Sequence, residues 1–155
     1  MENKKVVVFS AVNEEFGLPV EHVISIEKFQ KLTEIPQMPK YMGGVLTMRD
    51  ELVPIIDSNL ILFNKKFVHT EKTRIIVAKT DEISIGLIVD DAKEILDISP
   101  EQIKQLSING YQSSAYISGV INLEGRLITL LQPTSLIESL EGINDIKNHV
   151  HSHQS

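Results

Sequence analysis

The feature that most constrains this chain is an internal repeat. Residues 41–57 (YMGGVLTMRDELVPIID) align with residues 116–132 (YISGVINLEGRLITLLQ) at an offset of 75, placing Tyr41 on Tyr116, Gly44 on Gly119, Val45 on Val120 and Leu52 on Leu127. Residues 6–20 (VVVFSAVNEEFGLPV) align with residues 75–89 (IIVAKTDEISIGLIV) at an offset of 69, placing Gly17 on Gly86 and Leu18 on Leu87. One block alone could arise by chance. Two blocks in the same order indicate a duplicated unit, and one longer loop in the second copy absorbs the difference between the offsets.

Each copy reads as two hairpin units. The first unit is a strand at 5–12, a turn at Asn13-Glu14-Glu15 and a strand from 16 to 26, repeated at 74–80 and 83–98. The second is 44–49 and 52–57 around Arg49-Asp50-Glu51, repeated at 119–123 and 127–131 around Glu124-Gly125. Ile88 and Val89 alternate on the strand at 83–98, which predicts one inward and one outward side chain. Pro36 and Pro39 interrupt any regular element between the units. Short helices are expected at 58–63 and 134–141, the second capped by Thr134. The 21 Ile and 13 Val against 4 Ala agree, because β-branched side chains suit a pleated surface better than a helix. The expected class is all-β with short helices, as two small barrels packed together. A lone barrel of about 60 residues buries too little apolar area to be robust, so the halves, about 5–63 and 74–137, are expected to form one domain over 1–141. Whether strands exchange between the halves is open at this point. Residues 142–155 are expected to be a polar, disordered tail.

Charge and residue content narrow the function. Fifteen Lys+Arg against 21 Asp+Glu give −6, which disfavours nucleic acid as a ligand. There is no cysteine, so disulfides and thiolate chemistry are excluded. The longest apolar runs are four residues, and MENKK has no apolar stretch behind it, so a soluble, cytoplasmic protein without membrane insertion is expected. His149, His151 and His153 alternate in HVHSHQS and read as a tail with weak affinity for metal, while His22 and His69 have no partner at ligand spacing. No metal site is expected. Asp57 and the Asp90-Asp91 pair end aliphatic strands and read as acids turning toward water rather than an acid–base pair. No nucleophile elbow or phosphate-cradling loop is present. The bottom-up reading is a duplicated β-domain that binds protein, with Arg49 at a hairpin tip suited to carboxylate or amide recognition.

Together these residues resemble the CheW family of chemotaxis coupling proteins over about 5–140. The resemblance rests on Glu15-Phe16-Gly17-Leu18, on Val23 and Ile26, and on Ile35-Pro36 and Pro39. It continues through Gly44-Val45, Arg49 and Val53-Pro54-Ile55-Ile56-Asp57, then Gly86-Leu87-Ile88-Val89-Asp90, Glu94-Ile95-Leu96 and the closing motif at 119–127. The family's Asn-Leu-Arg-Gly turn is Thr47-Met48-Arg49-Asp50 here, and Ser25 stands where Glu is common. The resemblance implies two five-stranded SH3-like barrels in pseudo-two-fold relation. It also implies a non-catalytic adaptor, without cofactor and monomeric in isolation, that joins the cytoplasmic tips of methyl-accepting chemoreceptors to the regulatory domain of the histidine kinase CheA at receptor arrays. By matched position, Val23, Ile26, Gly44, Arg49, Val89 and Ile95 would face the receptor and Lys104 the kinase. The alternatives are a small-ligand-binding β-barrel, an enzyme of unknown substrate, and a CheV-type protein, whose receiver domain has no counterpart here.

Overall fold

The structure is a computed structural model that describes residues 3–105, 107–108, 111–112 and 116–154. The first half comprises β1 (Lys4–Ala11), β2 (Glu14–Pro19), β3 (Val23–Lys28), β4 (Met42–Met48), β5 (Glu51–Asp57) and α1 (Ser58–Phe63). The second comprises β6 (Arg74–Lys79), β7 (Ser84–Val89), β8 (Asp91–Ile98), β9 (Ile103–Lys104), β10 (Ser107–Ile108), β11 (Tyr111–Gln112), β12 (Ile117–Leu123), β13 (Arg126–Leu131), α2 (Pro133–Glu138) and α3 (Ile143–Gln154). A six-stranded sheet runs β8-β1-β2-β13-β12-β9 and a five-stranded sheet runs β3-β6-β7-β5-β4, with β10 and β11 as a separate two-stranded sheet.

Both sheets mix the two copies of the repeat. Hairpin β1–β2 of the first copy pairs with β8 and β13 of the second, and hairpin β6–β7 of the second pairs with β3 and β5 of the first. The exchange is reciprocal, and it follows from breaks in the strands expected at 16–26 and 83–98. The first break comes after Pro19, which has no N–H to continue a ladder, and a 3₁₀ turn at Val20–His22 redirects the chain into β3. The second comes at Asp90. Its N–H donates to the Ser10 carbonyl at 3.0 Å, while its carboxylate accepts from Val12 N–H at 2.9 Å and from Asn59 Nδ2 at 3.0 Å.

The equivalence of the copies extends to single hydrogen bonds. The pairing register shifts between Met42 and Gly44 in β4 and between Ile117 and Gly119 in β12, at the offset of the repeat. The carbonyls of Tyr41 and Tyr116 accept 2.8 Å bonds from the N–H groups of Asp57 and Gln132. Gly17 and Gly86 occupy matching places in the two parallel strand pairs, opposite Leu130 and Ile55. A Cβ on Gly17 would stand 2.5 Å from Val6 Cγ1, and one on Gly86 would stand 2.5 Å from Ile55 Cδ1.

Three apolar cores result. The central one joins the two sheets, with Val7, Phe9 and Leu18 from one and Ile76, Leu87 and Val89 from the other. A lateral core within the six-stranded sheet holds Val6, Val8, Ile121 and Ile128, and one within the five-stranded sheet holds Val53, Ile55, Ile75 and Ile88. Strands β1 and β7 are therefore buried on both faces. This corrects the expectation for Ile88 and Val89: both are fully buried, in different cores.

Further expectations are corrected by local chemistry. Helix α2 is capped not by Thr134 but by Gln132, whose side chain accepts from Thr134 N–H at 2.7 Å, with Pro133 in the first turn. The first turn is Val12-Asn13, at φ 49° and 63°, rather than Asn13-Glu14-Glu15. Residues 143–154 are helical rather than disordered. Ile143, Ile146 and Val150 are buried in the central core. Lys147, equally buried, pairs with Glu138 of α2 and, at 3.3 Å, with Glu82 in the β6–β7 turn. On a helix His149 and His151, two residues apart, lie on different sides.

Candidate functional site

Strands β3 and β8 each form an edge of their sheet, and each carries an exposed isoleucine. Ile26 is 42% and Ile95 60% exposed. They are equivalent positions of the repeat: Ile26 pairs with Ile76 and Ile95 with Val7, again at the offset of 69. Ile24, two residues before Ile26, is 44% exposed and extends the apolar stretch on β3. The sequence reading missed Ile24, although the alternation in Val23-Ile24-Ser25-Ile26 carries the signal.

The other predicted residues separate into distinct places. Val23 is half-buried against the central core. Val89 is fully buried there, so its side chain packs in the central core and offers no surface of its own to a partner. Gly44 is also buried, with φ 144°, and a Cβ there would stand 2.7 Å from the Thr33 carbonyl oxygen. Its missing side chain lets the chain after β3 approach β4 and exchange two backbone hydrogen bonds, of 3.1 and 2.8 Å, between Thr33 and Val45. Arg49 and Asp50 form the β4–β5 turn with φ 49° and 66°, both left-handed, as a two-residue hairpin of the favoured hand requires. Arg49 is exposed, and no carboxylate lies within ion-pair distance of it among the described residues. Lys104 is exposed on β9, opposite Val120, at the far end of the six-stranded order from β8.

Electrostatics single out Ile95 within its strand. Arg126 of β13 holds Glu15 of β2 through two hydrogen bonds of 3.1 and 2.9 Å and Glu94 of β8 through a third of 2.9 Å. Lys93 lies 3.9 Å from Glu15. The hydrogen bond from Arg126 holds the Glu15 carboxyl below its ordinary range, and the two glutamates raise the guanidinium. Lys93 and Glu94, beside Ile95 on β8, are thus engaged within the molecule, and the Ile95 side chain is left outward.

Of the three strand-ending aspartates, Asp57 and Asp90 have a different role from the one expected. Asp57 is 2% exposed and does not turn toward water. It caps α1 by accepting from Asn59 and Leu60 N–H at 3.0 and 3.3 Å, and it accepts from Phe67 N–H at 3.0 Å. Burial pushes its carboxyl above the ordinary value despite these bonds. Asp90 clamps the strand crossover described above. The His69 ring packs at a tilt against Phe29, with centroids 4.8 Å apart. Among the described residues no group of three or more His, Cys, Asp or Glu could hold a metal ion. None of their helices is long and apolar enough to cross a membrane. The arrangement suits recognition by apolar edge strands and an exposed guanidinium.

Comparison with known proteins agrees over nearly the whole chain. The profile of the CheW-like domain matches residues 5–141. The "Chemotaxis protein CheW" of Rhizobium meliloti (strain 1021) is 30% identical over 139 residues, covering 89% of this chain and 90% of the relative. The "Chemotaxis protein CheW" of Bacillus subtilis (strain 168) is 29% identical over 137 residues, covering 87% of each. The crystal structure of the scaffolding protein TtCheW from Thermoanaerobacter tengcongensis superposes with a TM-score of 0.80 at 26% identity, covering 92% of each chain.

Proposed function

The chain belongs to the CheW-like domain family, and on that premise we propose that it is a chemotaxis adaptor coupling methyl-accepting chemoreceptors to the histidine kinase CheA. The observation that carries this reading is the match across the whole domain, in sequence to chemotaxis proteins and in fold to a scaffolding protein. The adaptor catalyses nothing and takes no cofactor. It works in the cytoplasm at receptor arrays as a monomeric unit that assembles through its partners.

Ile26 and Ile95, with Val23 between surface and core, form the receptor-facing surface. Gly44 and Val89 shape the backbone behind it, and Arg49 contributes a charged contact. Lys104 faces the kinase regulatory domain. Support comes from exposed isoleucines on equivalent edge strands, because an apolar side chain left outward on both copies of a repeat suits a partner with its own two-fold character. The test is calorimetric titration of the full chain with a soluble receptor-tip fragment and, separately, with the CheA regulatory domain. Binding to both is expected. Failure to bind either one overturns the adaptor reading.

A further inference from the structure

A groove of 610 Å³ opens where the segment after β3, the segment before β4 and the stretch after α1 meet. Phe29, Leu32, Met42 and Phe67 give it an apolar lining, and the rings of Phe29 and Phe67 pack at 5.3 Å, which fixes one wall in advance. Lys31, Lys40 and Lys66 also line it, one from each of the three segments. All three are exposed, and none has an ion-pair partner among the described residues. Glu34 is the one exposed acid of the lining. Asp57 also borders the groove, but it is 2% exposed and its oxygens are occupied by three N–H donors. Three lysines against one exposed glutamate make the mouth cationic on a chain whose net charge is −6.

We propose that this groove docks an acidic amphipathic segment of a partner protein, with apolar side chains on the lining and carboxylates at the three lysines. Three cations supplied by three chain segments favour a ligand with several anionic groups over a single carboxylate. The concave apolar lining favours inserted side chains over a flat lipid surface. The groove excludes Ile26, Ile95, Arg49 and Lys104, so this inference stands or falls separately from the adaptor reading.

The test uses the full chain and a fluorescein-labelled, sixteen-residue peptide of alternating Leu and Glu pairs, read by fluorescence anisotropy. Micromolar binding is expected, weakened on the order of tenfold or more in Lys31→Glu/Lys40→Glu/Lys66→Glu and strongly reduced by molar salt, which shortens the screening length to about 3 Å. A peptide of equal charge with Ser in place of Leu should bind on the order of tenfold more weakly still. The distant pair Lys4→Glu/Lys5→Glu, carrying similar charge reversal, should leave binding unchanged, and a melt of each variant verifies folding. Undiminished binding by the folded triple variant, or no binding by the natural chain, overturns the proposal. So does lysine-dependent binding to phosphatidylglycerol vesicles without peptide binding, which would make the site a lipid contact.

Discussion

Val12 holds a β-branched side chain at φ 49°, a left-handed conformation that favours Gly, Asn or Asp. The turn accepts it because Asp90 receives the Val12 N–H, tying the strained residue to the point where the chain crosses between sheets. Asn keeps that N–H and tolerates the conformation, so Val12→Asn should stabilise the protein by about 1 kcal/mol. In denaturant melts the midpoint should rise with unchanged slope; a lower midpoint would show that side-chain burial outweighs backbone strain. Tyr41 carries a second residue-level prediction. Its hydroxyl donates to the Glu141 carbonyl at 2.7 Å, and burial, reinforced by Asp145 and Glu141, pushes the phenol up to about 12 from 10.0. The folded state therefore keeps a proton that the unfolded state releases, so this contribution is full below pH 10.0 and is lost as pH rises toward about 12. Ultraviolet titration should show one tyrosine ionising last, and Tyr41→Phe should remove that step and cost about 1 kcal/mol near neutrality.

Among the elements, α3 has the largest consequence that the sequence reading did not foresee. Ile143, Ile146 and Val150 recur at helical spacing, but nine polar or charged residues dilute that signal in a twelve-residue stretch, and its hydrophilic end reads as a tail. What makes it a helix here is tertiary: a stripe of three aliphatics on the central core and a buried lysine whose partners lie 65 and 9 residues away in sequence. Burial alone would lower the Lys147 ammonium, but Glu138 and Glu82 more than offset that and raise it. At about 1.5–3 kcal/mol for each buried aliphatic side chain, removing residues 143–155 should cost on the order of 5 kcal/mol or more. A truncated chain that melts with the midpoint of the full chain would sink this assignment. The hairpins, in contrast, were legible because their turns are local: Arg49-Asp50 and Glu124-Gly125 sit where expected, with left-handed φ at all four residues. The breaks at Pro19 and Asp90 were not, because a strand that changes sheets carries the same apolar alternation as one that continues.

For the whole molecule, duplication is legible in sequence and reciprocal exchange is not: the same two blocks serve side-by-side halves or interleaved ones, and only pairing between distant strands decides. Interleaving gives the proposed receptor surface its form, since it puts Ile26 and Ile95 on the free edges of different sheets while keeping them equivalent. Arg49 lies on a different element, at the β4–β5 tip. One partner surface therefore has to reach both an apolar edge and a charged tip, or the two serve different partners, and paired substitutions separate these cases. Ile95→Asp should weaken binding of a receptor-tip fragment by on the order of 1–3 kcal/mol, because it sets a charge in an apolar contact. The melt should barely move, as a 60% exposed side chain adds little to folding. Arg49→Glu should weaken the same binding by on the order of 2–5 kcal/mol where the guanidinium is desolvated against a carboxylate, with kinase binding unchanged. Parallel titrations with the receptor fragment and the kinase regulatory domain decide the matter. Loss of kinase binding alone in Arg49→Glu would move that tip to the kinase face and leave Ile26 and Ile95 as the receptor contact. Equal loss on both partners, with an altered melt, would mean that the left-handed turn had been damaged rather than an interface.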